Sequence, residues 1–149
     1  MLLYHFNFGY PLLDAGTQIH WEGEHSIPSD PKFLTNPDIK LVPEPLEAHR
    51  GSGESVIFID VAADAQHRST CALWNPHLGF GVRLEWDKRQ LPWLTNWQHF
   101  APHEFVTGLE PGTHPPIGQK KARETGSLGY LKPLERKKIE LKLSIITAI

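Results

Sequence analysis

Residues 78–86 read Leu-Gly-Phe-Gly-Val-Arg-Leu-Glu-Trp, and this stretch decides the fold class because its apolar residues recur at every second position. A period of two is that of a β-strand with one buried face. The apolar face of this strand carries Leu78, Phe80, Val82, Leu84 and Trp86. The other face carries two glycines and two charged residues, so the sequence predicts a half-buried strand that ends in a turn over residues 87–90.

Other segments carry strand signals of the same kind, separated by turns rich in glycine and proline. We predict strands over Leu2–Gly9, Thr17–Glu22, Glu54–Val61, Ser69–Asn75, Trp93–Phe100, Glu104–Leu109 and Ile139–Ile145. The only predicted helix is a short one over residues 119–125, which Gly126 would end. Short strands at this spacing predict an all-β fold, an antiparallel β-sandwich or barrel, with residues 1–149 forming a single domain.

Three segments give more detailed expectations. The continuous apolar run Glu54–Val61 predicts a central strand buried on both faces, with Ser69–Asn75 pairing back onto it as a hairpin after a turn. The proline-rich stretch Ser26–Gly53 lacks periodicity and is interpreted as a long surface excursion. The last strand should turn a row of aliphatic residues inward: Ile139, Leu141, Leu143 and Ile145.

Composition excludes several classes of function. At 149 residues the chain has a formal net charge of −2, so no basic field attracts nucleic acid or anionic lipid. No apolar run approaches the length needed to cross a bilayer, and the first residues lack a signal peptide. Cys71 is the only cysteine, which rules out an internal disulfide and a cysteine-based zinc site. We therefore expect a cytoplasmic protein without nucleic-acid or membrane partners.

Two polar side chains stand out as candidates for acid–base chemistry. Glu110 follows the apolar run Phe105–Leu109 directly, and a carboxylate so placed is costly unless it is paired or chemically employed. Residues 111–116, Pro-Gly-Thr-His-Pro-Pro, should end any regular ladder after it. At the other end of the chain, alternation places His5 and Asn7 on the strand face opposite the aromatic residues. A histidine and a glutamate form a natural proton-transfer pair.

These motifs resemble those of a known superfamily. Tyr-His-Phe-Asn-Phe-Gly (residues 4–9) resembles the histidine-containing strand of the aldose 1-epimerase, or galactose mutarotase-like, superfamily. Gly108-Leu109-Glu110, followed by Pro115 and Pro116, resembles its Leu-Glu strand end. The closer resemblance is to the DUF4432 branch, through residues 4–14, 54–58, 91–92 with Trp97, and 108–111. The resemblance covers nearly the whole chain but only the C-terminal portion of a longer family fold.

The resemblance implies part of a large antiparallel supersandwich whose concave sheet binds a monosaccharide. It implies that Glu110 acts as the general base on the anomeric hydroxyl and that His5 acts as the general acid on the ring oxygen. The ring then opens, rotates and recloses, which interconverts the anomers. We expect neither a cofactor nor a metal ion; the spacings His99–His103 and His20–His25 are too weak to predict a metal site.

Further residues are candidates for sugar binding. Glu54 resembles a family carboxylate that binds sugar hydroxyls, although Ser55 fits the same position. Trp97 or Trp93 could offer a flat face to a pyranose ring, and Asn7 or His99 could supply hydrogen bonds. The simpler interpretations are that His5 packs among aromatic rings and that Glu110 caps the amides of the following loop.

The chain also departs from the family pattern. The superfamily places a sugar-binding arginine and a second histidine in a portion that has no counterpart here. Two alternatives to an active mutarotase therefore stay open: a non-catalytic sugar-binding module, and a structural domain. A partial sandwich would leave open sheet edges and an uncovered apolar face, so we expect a homo-oligomer, in the simplest case a homodimer.

Overall fold

The computed structural model describes residues 1–149 and consists almost entirely of antiparallel strands, as the alternating pattern predicts. The strands are β1 Phe6–Phe8, β2 Gln18–Trp21, β3 Gly23–Ser26, β4 Ser55–Val61, β5 Arg68–Asn75, β6 Phe80–Asp87, β7 Trp93–Ala101, β8 Glu104–Gly112 and β9 Leu141–Ile146. One α-helix, α1, spans Gln119–Glu124 and is followed by Gly126 at a φ of 70°. Single 3₁₀ turns occur at Pro31–Phe33 and Glu47–His49, and no helix has the length and apolar character needed to cross a membrane.

The strands form two sheets with one core between them. The first sheet has the order β1-β8-β7-β4-β3 and the second the order β2-β5-β6-β9. The first sheet contributes buried residues such as Ile57, Ile59, Leu94 and Leu109 to the core. The second contributes buried residues such as Ile19, Leu73, Leu84 and Trp86. The predicted all-β antiparallel sandwich is confirmed.

Two expectations about β4 and β5 are wrong. β5 does not form a hairpin with β4; it lies in the second sheet between β2 and β6, while β4 pairs with β3 and β7. Nor is β4 buried on both faces: Ile57 and Ile59 lie in the core, whereas Val56 and Phe58 are only half-buried and line a cavity. The apolar run therefore reflects one core face and one cavity face, and β3, which partners β4, was not predicted.

The ladder does not end at Glu110, contrary to the prediction. β8 continues to Gly112, and Leu94 and Trp93 of β7 face Pro111 and Gly112. Proline is tolerated here because the backbone N–H and C=O of one residue in an antiparallel strand point towards the same neighbouring strand. The carbonyl of Pro111 accepts a hydrogen bond from the backbone N–H of Tyr4, so the missing N–H lies on the side of the N-terminal segment and costs the β7 ladder nothing.

The last strand is less buried than its pattern predicts. In β9, Leu143 pairs with Leu84 and Ile145 with Val82, so these aliphatic residues share the core-facing side of the sheet. Leu84 is fully buried, yet Leu143 is 52% exposed and Ile145 is 76% exposed. β9 is the edge strand, and the first sheet does not extend far enough to cover it. The expected inward burial of Leu143 and Ile145 is therefore wrong.

This difference between cross-strand neighbours gives a test of the fold. Leu84→Ala should lower the free energy of unfolding by about 2–5 kcal/mol, because it leaves a cavity in the core. Leu143→Ala should lower it by about 1 kcal/mol or less, because half of that side chain is already in water. Urea unfolding followed by circular dichroism measures both values, and equal losses in the two variants would contradict the exposed edge.

Candidate functional site

The face of the first sheet that points away from the core forms the candidate site. Cross-strand partners share a face, and the register places Val56 opposite Trp97, Thr95 opposite Glu110, and Asn7 opposite Gly108. Strands β4, β7, β8 and β1 therefore bring their outward-facing side chains onto one continuous surface. This surface carries four of the residues singled out in the sequence: Asn7, Glu54, Trp97 and Glu110, together with His5 just before β1.

A cavity with a volume of about 690 Å³ opens on this surface. Its sheet side is lined by Leu3, His5, Asn7, Glu54, Val56, Phe58, Thr95, Trp97 and Glu110. Its other side is formed by the segment between β3 and β4, through Pro28, Ser29, Asp30, Phe33 and Ser52, with Pro116 at one end. The volume lies in the range of sites that hold a small molecule.

His5 and Glu110 meet in this cavity. The Nδ1 atom of His5 lies 2.7 Å from Oε1 of Glu110, and an ionised carboxylate can only accept, so the imidazole donates this hydrogen bond. The glutamate side chain is 6% exposed and the histidine side chain 61%. Burial raises the pKa of the Glu110 carboxyl above its ordinary value, and the hydrogen bond and charge of His5 oppose that rise. The pair therefore joins a desolvated base to an accessible imidazole.

Gly108 makes room for this arrangement. A Cβ atom at Gly108 would lie 2.7 Å from Oε1 of Glu110 and 3.1 Å from Oδ1 of Asn7. The first contact is too short for a carbon atom and the second is tight, so any larger residue would displace the carboxylate. The glycine in the Gly-Leu-Glu motif is thus a steric requirement of the site, because the Glu110 side chain folds back over its position.

A second carboxylate lies against the aromatic wall of the cavity. The indole N–H of Trp97 donates a hydrogen bond of 2.7 Å to Oε2 of Glu54. Ser55, the alternative at the same sequence position, points the other way and is buried near His49. Only Glu54 of these two neighbours reaches the cavity, and its charge contributes to the raised pKa of Glu110.

Two of the aromatic candidates do not line this cavity. His99 is buried; its Nδ1 donates a 2.7 Å hydrogen bond to the carbonyl of Gly53, and its Nε2 lies 3.3 Å from Glu104. The His99 ring stacks on Trp97, with ring centroids 6.0 Å apart, and borders a shallow depression beside the cavity. Trp93 lies farther along β7 and does not contribute to the cavity lining. In this structure these two residues are neighbours of the candidate site.

The second wall of the cavity was not predicted from the sequence. The Ser26–Gly53 stretch is not only a surface excursion, since it buries Val42 and His49 and contributes Asp30 and Phe33 to the cavity. Irregular segments carry no periodicity from which burial can be read. The available signal was the Asp30-Pro31 pair, which is typical of the start of a 3₁₀ turn, and the Asp30 side chain does cap that turn at the Lys32 N–H.

Comparison with known proteins identifies the family. The family model described as "Domain of unknown function (DUF4432)" matches residues 1–145. The chain belongs to the DUF4432 family. No curated protein matches the sequence.

A solved structure matches the DUF4432 chain in three dimensions. It is described as a "putative aldose 1-epimerase" from Klebsiella pneumoniae subsp. pneumoniae MGH 78578. The TM-score is 0.85 and the sequence identity is 27%, over 96% of this chain. The predicted resemblance to aldose 1-epimerase-like proteins is therefore confirmed at the level of fold. The match covers only 37% of the other chain, so this sequence spans little more than a third of that protein's length.

The coupling between His5 and Glu110 in the DUF4432 chain can be measured directly. Glu110 should titrate above its ordinary pKa of 4.5, because burial disfavours its charged form. His5→Ala should raise that pKa further, because it removes the imidazole that lowers it. Carbon-detected NMR titration of the Glu110 carboxyl measures both values. His25→Ala, on the exposed strand β3, is the control, and a lower Glu110 pKa in His5→Ala would contradict the proposed coupling.

Proposed function

We propose that this DUF4432 chain binds a monosaccharide in the cavity and interconverts its anomers by acid–base catalysis. The observation that carries the proposal is the 2.7 Å hydrogen bond between His5 and Glu110 in the wall of a cavity of about 690 Å³. An anomeric hydroxyl oxygen and the ring oxygen are bonded to the same carbon atom. An acid and a base that serve both oxygens must therefore face the same small volume, as His5 and Glu110 do in this cavity.

The reaction uses Glu110 as the base and His5 as the acid. The Glu110 carboxylate removes the anomeric hydroxyl proton, while the protonated imidazole of His5 gives its proton to the ring oxygen. The bond between the anomeric carbon and the ring oxygen breaks, which leaves an open-chain aldehyde. Rotation about the adjacent C–C bond and the reverse proton transfers close the ring as the other anomer. Protons and electrons balance without a cofactor.

The rest of the cavity supports sugar binding. Trp97 offers an aromatic face, which suits the apolar C–H face of a pyranose ring. Glu54 and Asn7 offer acceptors and donors for hydroxyl groups on the same surface as the catalytic pair. The likeness to a protein described as an aldose 1-epimerase favours this substrate class. Sugar binding by these residues, and by His99 at the border, remains a prediction.

Substitution of the base tests the catalytic proposal. Glu110→Gln keeps the size of the side chain but cannot accept a proton, so anomer exchange should slow by about 10²–10⁴-fold. NMR exchange spectroscopy or polarimetry on D-glucose and D-galactose measures the rate. Glu124→Gln, in the exposed helix α1, is the matched control and should keep the wild-type rate. A wild-type rate equal to that of buffer would refute the enzyme proposal.

A second candidate function is a sugar-binding module without catalysis. It is favoured by the same cavity, because Trp97, Glu54 and Asn7 can hold a sugar without any transfer of a proton. Saturable sugar binding that survives both Glu110→Gln and His5→Ala, without anomer exchange in the wild type, would select this alternative. Absence of binding to any monosaccharide would count against both functions.

We also propose that two copies associate through the open edge of the second sheet. β9 has a partner on one side only, and its exposed Leu143 and Ile145 continue the apolar face that is buried under β6. Free backbone groups beside an apolar strip form a template for another strand. A second copy of β9, antiparallel about a two-fold axis, would pair both edges at once.

A cytoplasmic location suits the single buried thiol of Cys71, whose pKa burial raises.

The oligomeric state tests the edge pairing. Ile145→Lys places a charge within the pairing surface and should shift the protein from dimer to monomer in analytical ultracentrifugation. Ile149→Lys makes the same change at an exposed position beyond β9 and should leave the dimer intact. A wild-type protein that stays monomeric at high concentration would contradict the dimer.

A further inference from the structure

The wall of the cavity opposite the sheet is formed by an irregular segment. The segment between β3 and β4 contributes Ser29, Asp30 and Phe33 to the lining and has no ladder of its own. Ser29 is fixed at one end, where its hydroxyl accepts a hydrogen bond from the backbone N–H of Val56. Phe33 is fixed at the other end, where its carbonyl accepts hydrogen bonds from a buried histidine, His49, and from the hydroxyl of Ser55 on β4. These hydrogen bonds hold the part of the segment that lines the cavity, whereas residues 39–46 of the same segment are fixed separately by hydrogen bonds to residues 16–19 and to β7.

His49 is fully buried and forms hydrogen bonds through both ring nitrogens. Its Nδ1 lies 3.0 Å from the backbone N of Phe100, and its Nε2 lies 3.1 Å from the carbonyl oxygen of Phe33 and 3.3 Å from the hydroxyl of Ser55. A backbone N–H can only donate, so Nδ1 must be the acceptor. A carbonyl can only accept, so Nε2 must carry the hydrogen. The contacts select the neutral imidazole with its hydrogen on Nε2.

The backbone around His49 is closely packed. At Gly53 a Cβ atom would lie 2.1 Å from the carbonyl oxygen of Ala48 and 2.7 Å from the Cα atom of His49. The backbone thus passes directly over the histidine on its way into β4. On the other side, the backbone N–H of Leu46 donates a 2.7 Å hydrogen bond to the carbonyl of Phe100. The ring is held between β7 and the cavity wall.

We propose that His49 is a positioning residue for the sugar site: as a neutral imidazole it ties the Phe33 carbonyl to β7, and its protonation releases this wall of the cavity. The inference rests on the proposed function, since it assigns a role to the wall of the same site. Protonation of Nδ1 would place a second hydrogen-bond donor opposite the backbone N–H of Phe100. An unmatched buried donor pair of this kind cannot persist without a movement of the ring or of the segment.

The surroundings determine the direction of the pH effect. Burial lowers the pKa of His49 below its ordinary 6.5, His99 lowers it further, and the Phe33 carbonyl and Glu54 oppose this shift. Other charged groups lie on the 3₁₀ turn that carries His49 and at the turn Pro31–Phe33, and one on β8 pairs with His99: Glu47, Arg50, Asp30, Lys32 and Glu104. Because the folded pKa is depressed, the attachment is at full strength above pH 6.5 and is lost as the pH falls below that value.

Two substitutions separate positioning from simple packing. His49→Gln offers an amide N–H and an amide oxygen but does not titrate near neutrality, whereas His49→Phe keeps a ring without hydrogen bonds. At about pH 7.5, where His49 is neutral, we expect His49→Phe to weaken D-glucose binding about tenfold with kcat little changed, and His49→Gln to stay within about threefold of wild type. Below pH 6.5, wild-type affinity should fall more than that of His49→Gln. His25→Gln, on the exposed strand β3, is the matched control and should follow wild type.

Two NMR readouts do not depend on sugar binding. Long-range ¹H–¹⁵N spectra should show the His49 ring with its hydrogen on Nε2, and amide signals of residues 29–34 should change below pH 6.5 in wild type but not in His49→Gln. A hydrogen on Nδ1 at neutral pH, or identical acid behaviour of wild type and His49→Gln, would overturn the inference. Failure of wild type to bind any sugar, with both NMR results as expected, would instead refute the proposed function and leave the His49 attachment in place.

Discussion

The site depends on the pairing of the first strand with β8. His5 and Glu110 are 105 positions apart in the chain, and their side chains meet because Phe6 lies opposite Leu109 and Asn7 opposite Gly108. A shift of this register by one residue would send Asn7 to the core side and separate the histidine from the carboxylate. The aromatic side chains of β1 prevent such a shift, since they pack against the core on the opposite face. Core packing thus fixes the geometry of the hydrogen-bonded pair of His5 and Glu110.

The local sequence pattern predicted which face of a strand points to the core better than it predicted which strands pair. Alternation correctly placed Asn7 away from the core, because the period of two is a property of the backbone itself. It could not predict that β5 lies in the second sheet rather than beside β4. An alternating pattern shows that one face of a strand is buried, but it does not identify the strand that lies next to it. The exposure of Leu143 was missed for the same reason. The alternation around it is that of a strand with one buried face, and only the tertiary arrangement reveals that β9 lies at an exposed edge of its sheet.

The candidate site was predictable where it lies on strands. Glu110, His5, Glu54 and Trp97 stand in or beside regular elements, and the structure brings all four to one cavity. His49 and Phe33 lie in a segment without periodicity, so neither burial nor orientation followed from the sequence. His99 illustrates the converse: its strand position was correct, but a hydrogen bond to the Gly53 carbonyl holds its ring beside the cavity.

The two walls of the cavity differ in how firmly they are held, and this difference divides their roles. The sheet wall is fixed by continuous ladders through β1, β8, β7 and β4, so His5 and Glu110, the groups proposed to transfer protons, sit on the more rigid side. The cavity-lining residues of the opposite wall are held by isolated hydrogen bonds through Ser29, His49 and Ser55, which can open at a lower cost than a ladder. If the proposed function holds, changes in that wall alter which ligands enter and how tightly they bind, while changes in the sheet wall alter the proposed proton transfers. A divergent loop on a shared sheet would let members of one family keep a reaction while changing its substrate.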